Sequence, residues 1–99
     1  MKLKCKNQEA KEKLIQVIKD LHYENYISWY SEFGFEISKP RFKEVRNRIE
    51  AIKIINDNPN KNIKICDRCN GKGILKEFIT ALNPGICFKC KGYGYINYD

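Results

Sequence analysis

The stretch Cys66-Asp67-Arg68-Cys69-Asn70-Gly71-Lys72-Gly73 returns further along the chain as Cys87-Phe88-Lys89-Cys90-Lys91-Gly92-Tyr93-Gly94, and both copies read C-x-x-C-x-G-x-G. Two residues between cysteines let a tight turn aim both sulfurs at one ion. Seventeen residues separate Cys69 from Cys87, a spacing that suits a four-cysteine metal site. Zinc takes four ligands in a tetrahedron with sulfur at about 2.3 Å, so two such turns complete one site. Gly71 and Gly92 let the chain reverse with a positive φ. Gly73 and Gly94 let two strands or turns approach closely. Backbone N–H groups in such turns can point at the thiolates and offset their charge. The expectation is one Zn²⁺ per chain on Cys66, Cys69, Cys87 and Cys90.

Four cysteines fill the coordination shell, which fits a structural site rather than a catalytic one with a place open for water. No HExxH or H-x-E accompanies them, and the one histidine, His22, lies far upstream and reads as a helix-surface residue. The alternatives are two disulfides or four free thiols. The segment 62–99 has few large apolar residues, and so short a segment usually needs metal, disulfides or a partner to fold. Zinc can supply on the order of 10 kcal/mol towards that. Disulfide exchange by the C-x-x-C pairs is a third reading, which a bound ion would suppress. Cys5 has no partner pair and reads as a spare thiol.

The formal net charge of +7 favours polyanions or acidic protein surfaces as partners, although it also serves simply to keep a protein dispersed. Four thiolates on one Zn²⁺ would take two units from that figure. No apolar run is long enough for a transmembrane helix, so no membrane role is expected. The start, Met1-Lys2-Leu3-Lys4-Cys5-Lys6, continues in charge where a signal peptide turns apolar. A reducing, cytoplasmic setting is therefore expected, in which clustered cysteines bind metal.

A change of composition divides the chain. Glycine and proline are rare before Asp57-Asn58-Pro59-Asn60, whereas five of the six glycines and four of the five cysteines follow it. This places a helical region at 1–60 and a metal module at 61–99. Leu14, Val17, Ile18 and Leu21 recur at helical spacing, and Tyr26, Tyr30 and Phe33 extend that face, with Trp29 beside it. The helix is read either as unbroken from about Gln8 to Phe33 or as broken between His22 and Asn25. Gly34 is expected just past its end, in the left-handed conformation, with Phe35-Glu36-Ile37 as a connector. Ser38 and Pro40 suit the start of a second helix, from about Lys39 to Asp57, carrying Phe42, Val45, Ile49 and Ile52 inward. The aromatic residues from Tyr23 to Phe33 are expected in the core between the helices. Beyond the boundary, Ile74–Thr80 reads as a strand, Asn83-Pro84-Gly85 as a turn and Tyr95–Tyr98 as extended chain. The fold class is α+β: an N-terminal helical hairpin with a C-terminal zinc-bound β-hairpin module.

The repeated C-x-x-C-x-G-x-G over residues 63–96 resembles the cysteine-rich zinc module of the DnaJ chaperone family. Two copies in place of the family's four imply half a module with one zinc. The family's J domain uses a His-Pro-Asp triplet, which His22-Tyr23-Glu24 does not provide. In size the chain is similar to the anti-TRAP-like small regulators, which use one two-copy zinc site. The resemblance implies a binding module and leaves its target open.

Two groups of residues are candidates for partner contact. On the second helix Lys39, Lys43, Arg46 and Lys53 share a side, which suits a phosphate backbone but equally a solvated face. Around the cysteine turns Arg68, Lys72, Phe88, Lys89, Lys91, Tyr93 and Tyr95 mix basic and aromatic character. Such a mixture suits unpaired bases, a protein interface, or simple cover for a small metal core. No phosphate loop, nucleophile–histidine set or paired-carboxylate pattern is present, so an enzyme is not expected. The leading expectation is a small regulator or adaptor that binds a protein. RNA or single-stranded DNA is the alternative ligand, thiol oxidoreductase or chaperone-like activity comes third, and self-association stays open.

Overall fold

A computed structural model gives the fold over residues 2–38 and 43–99. Strand β1 (Lys2–Lys4) leads into helix α1 (Gln8–Asp20). Asn7 caps that helix, its side-chain oxygen accepting from the Ala10 N–H at 2.9 Å. At the far end His22 takes φ +61°. Its N–H donates to Lys19 O, and the next N–H, of Tyr23, reaches Ile18 O at 2.9 Å. This is the paired Schellman closure, and Tyr23 packs against the core beside it. The chain does break near His22, as the second reading had it, but strands and not a second helix follow the break.

A short 3₁₀ turn, Glu24–Tyr26, follows, then strands β2 (Ile27–Trp29) and β3 (Gly34–Ile37). Strand β3 is the centre of an antiparallel sheet in the order β1-β3-β2, with Leu3 opposite Phe35 and Trp29 opposite Phe35 on the other side. The helical hairpin expected here is thus a helix–sheet–helix arrangement, and Phe35-Glu36-Ile37 is a strand rather than a connector. The reason is alternation: Phe35 and Ile37 turn fully inward while Glu36 stays exposed. Gly34 ends no helix. A Cβ there would come within 2.5 Å of the Ser31 hydroxyl and the Tyr30 ring, so a side chain would have to displace both from the tight β2–β3 connection. The aromatic residues divide: Tyr23, Tyr26 and Phe33 pack against the core, whereas Trp29 and Tyr30 are exposed at its edge.

Helix α2 is described over Lys43–Asp57. Its expected beginning, with Lys39, Pro40, Arg41 and Phe42, lies outside the described residues. It packs on α1, and Leu14, Ile18, Phe35, Ile37, Ile49 and Ile52 form the first core. Cys5 is a free thiol, as expected, but lies inside that core, 5 % exposed. Burial foremost, then the nearby Asp57 carboxylate, pushes its thiol pKa up. No described helix is long and apolar enough to cross a membrane.

The rest of the chain forms two small antiparallel sheets. Strand β4 (Ile63–Ile65) pairs with β7 (Tyr95–Asn97), and β5 (Ile74–Ile79) pairs with β6 (Pro84–Ile86) through an irregular register. The β5–β6 reversal is made by Thr80–Asn83, where the Thr80 hydroxyl accepts from the Leu82 and Asn83 N–H groups. Pro84, expected within the turn, instead opens β6, a position that tolerates its missing donor. Both C-x-x-C turns lie where these sheets meet.

Candidate metal centre

The four cysteines come from two turns, one after β4 and one after β6. Their sulfurs all lie within 4.8 Å of one another, and all four residues are buried. Cys66 Sγ is 3.8 Å from Cys87 Sγ, and Cys69 Sγ is 3.5 Å from Cys90 Sγ. A sulfur tetrahedron around an ion at about 2.3 Å has edges of about 3.8 Å. The donor set therefore fits one tetrahedral metal ion. All five cysteines are free thiols in the structure, which leaves the disulfide alternative without support.

The two turns are related as mirror roles in one device. Gly73 N–H donates to Cys69 Sγ and Gly94 N–H donates to Cys90 Sγ, each at 3.2 Å. Across the centre, Cys66 N–H reaches Gly94 O at 3.0 Å and Cys87 N–H reaches Gly73 O at 2.9 Å. Gly73 and Gly94 hold φ +74° and +83°. A Cβ on either would lie 2.5 Å from a carbonyl oxygen of the other turn, that of Gly92 or Gly71. Each turn is thus closed by its counterpart, and both positions exclude any side chain.

The electrostatics favour a cation. Burial pushes the Cys69 thiol up to about 12 and raises Cys90 as well. Burial opposes ionisation of Cys87 too, yet the Cys90 and Lys89 N–H groups aimed at its sulfur bring it down to about 7. Without a cation, burial and the crowding of sulfurs resist further ionisation once one thiolate has formed. A divalent ion removes that conflict and displaces the remaining protons.

The centre is tied to the helices. Asn47 of α2 donates its side-chain N–H to Lys72 O at 2.9 Å. Lys76 of β5 pairs with Glu44 at 3.4 Å, and Ile65 of β4 packs against the first core.

The candidate contact residues have unequal positions. Arg68 pairs with Glu77 at 3.6 Å and lies over the Phe88 ring, while Lys89 pairs with Asp67 at 2.5 Å. Arg46 pairs with Glu50 at 3.2 Å. Lys53 holds Asp57 at 2.6 Å with both side chains largely buried, and Asp57 also accepts from the Lys6 N–H. Lys53 is thereby held at the end of α2. Lys43, Lys72 and Lys91 have no ion-pair partner among the described residues, and Lys39 lies outside them. Tyr93 and Tyr95 meet with ring centres 5.8 Å apart and planes tilted by 47°, Tyr95 half-buried and Tyr93 exposed.

Not anticipated from the sequence is the exposure of large apolar side chains on and beside the β5–β6 hairpin. Phe78, Ile79, Ile86 and Phe88 are exposed there, Phe88 by 66 %, and Leu82 at the tip by 98 %. Phe78 and Phe88 meet edge to face, with ring centres 6.4 Å apart. The available signal was the run Phe78-Ile79, two apolar neighbours in a strand that no other layer covers.

No protein-family model matches the chain, and neither does any curated protein or solved structure. The functional reading therefore rests on the geometry above.

Proposed function

We propose that this chain is a zinc-held binding module: the four thiolates hold one Zn²⁺, and the hairpin they support engages a protein partner, as in a small regulator or adaptor. The observation that carries this reading is the contrast between an enclosed centre and an open hairpin. Four buried sulfurs leave no coordination place for a substrate. Beside them, Phe78 and Phe88 meet edge to face and stay exposed, and Ile79 of β5 and Ile86 of β6 are exposed as well. Such exposed groups mark interaction surfaces, and aromatic side chains dominate their energetics. The sulfur tetrahedron selects a soft-accepting, four-coordinate ion, for which Zn²⁺ is the common occupant. When bound, the ion supplies cross-linking energy rather than reactivity. The resemblance of the repeat to the DnaJ-type module supports the same division of labour.

Nucleic acid is the weaker reading. Arg46, Lys53, Arg68 and Lys89 are each engaged by a carboxylate, so a phosphate strand would have to displace those pairs or lie beside their acids.

Two measurements test the proposal. Elemental analysis of freshly purified, reduced protein should return one zinc per chain. A photo-crosslinking amino acid placed at position 88 in the native cell should then trap protein, and the trapping should vanish after chelation. Cross-links to nucleic acid, or none at all from zinc-loaded chain, would refute the binding partner proposed here.

A further inference from the structure

Between α2 and the metal-held hairpin runs a groove of about 250 Å³, lined by Lys43, Asn47, Ile74, Pro84, Ile86 and Lys91. We propose that this groove takes a short acidic and apolar peptide segment of a partner protein. The proposal deepens the binding reading above and rests on it.

Three observations specify the occupant. First, the lining is apolar along β5 and β6 and positive at Lys43 and Lys91, two cations contributed by separate parts of the fold. Neither has a carboxylate partner among the described residues, whereas Arg46, Lys53, Arg68, Lys76 and Lys89 all do. Two isolated ammonium groups on an apolar surface suit one or two carboxylates flanking an apolar side chain. A polyphosphate needs a continuous cation track, and Glu44 and Glu50 on the same helix interrupt any such track. Second, a second copy of the chain would bring its own net charge of +7 to a groove that already presents two lysines. Third, both walls of the groove have fixed backbones. The Asn47 amide fixes α2 to the first cysteine turn, and Lys91 sits in the second turn with φ +56°. Ile86, which lines the groove, is itself half exposed. A segment entering it therefore meets apolar side chains along one wall.

The volume holds a few side chains, not a drug-sized molecule. Recognition of this kind buries one or two apolar anchors and uses the lysines to choose the charge around them.

The test uses the zinc-loaded full chain and fluorescence anisotropy. The probes are a fluorescein-labelled Glu-Leu-Asp-Phe-Glu peptide, a Lys-Leu-Lys-Phe-Lys counterpart and a single-stranded oligothymidylate. The acidic peptide should bind, the basic one should not, and the oligonucleotide should not compete. Lys43→Glu and Lys91→Glu should each weaken the acidic peptide by about five-fold or more, and the double variant should gain the basic peptide. Ile86→Ser should weaken both charge pairings. Lys91 neighbours a ligand cysteine, so zinc content and far-UV circular dichroism are checked for each variant, and Lys43→Glu provides a test remote from the metal. Equal binding of the two peptides, indifference to both lysine changes, displacement by the oligonucleotide, or sedimentation as a dimer that covers Ile86 would overturn the proposal. If zinc is stoichiometric and position 88 still traps protein while the acidic peptide is ignored, the groove assignment alone falls. If zinc is absent, the module reading falls first.

Discussion

His22 and Gly73 show how single backbone positions set the stability of this chain. His22 occupies the left-handed position that closes α1, with φ +61° and an exposed side chain. A residue with a Cβ is strained there by about 1–2 kcal/mol, part of which glycine recovers. His22→Gly should therefore raise stability by about 0.5–1 kcal/mol, read as a higher midpoint in urea with an unchanged slope. Gly73 is the opposite case. Gly73→Ala combines a positive φ with a methyl 2.5 Å from the Gly92 carbonyl oxygen. It should cost at least about 2 kcal/mol and weaken zinc retention against a competing chelator, and Gly94→Ala should behave alike through Gly71. The ligand cysteines were legible in the sequence because a metal site of this type is a local pattern twice repeated. The reciprocal closure by Gly73 and Gly94 was only half legible. Close approach was expected of both glycines, but which carbonyl each one meets depends on the arrangement of the two turns in space.

At the scale of elements, the strands of the N-terminal half were the main feature hidden from the sequence. Tyr26, Tyr30 and Phe33 are spaced like a helix stripe, yet a 3₁₀ turn and the β2–β3 connection hold them. The true signal, alternation across Ile27–Trp29 and Gly34–Ile37, spans three and four residues and gains meaning only when β1 pairs from far upstream. The helix faces that make the core were legible, since Leu14, Ile18, Ile49 and Ile52 all meet there. The end of α2 depends on a pair that a charge count reads as surface. Lys53→Ala would leave the Asp57 carboxylate buried beside Cys5 without its cation. The expected cost is about 2–4 kcal/mol, measured by chemical denaturation, with no change in binding at the hairpin. Lys53→Arg, which keeps the charge, should recover part of that loss.

For the whole molecule, the two cores differ in what maintains them. One is made of aliphatic and aromatic side chains from α1, β3 and α2; the other is four cysteines with Leu75 and Ile96 around them. Chelation, or any one ligand changed to serine, should therefore unfold residues 62–99 while helical circular dichroism is largely kept. Near-ultraviolet signals from Tyr93 and Tyr95 should collapse at the same chelator concentration. Complete loss of helix in the same step would mean that α2 relies on Asn47 and Glu44 contacts to the metal module more than on its own core. The exposure of the hairpin's apolar side chains was not legible because exposure depends on what lies above a strand, which no local pattern records. The crossed glycine contacts also impose an order in time. Cys66 leaves the ribosome early, but its N–H waits for the carbonyl of Gly94, so the first half of the knuckle stays open throughout most of the module's synthesis. A nascent chain arrested before that residue should fail to retain the ion, and one released just beyond it should capture the ion at once. Metal uptake would then report that both turns of the knuckle have been made.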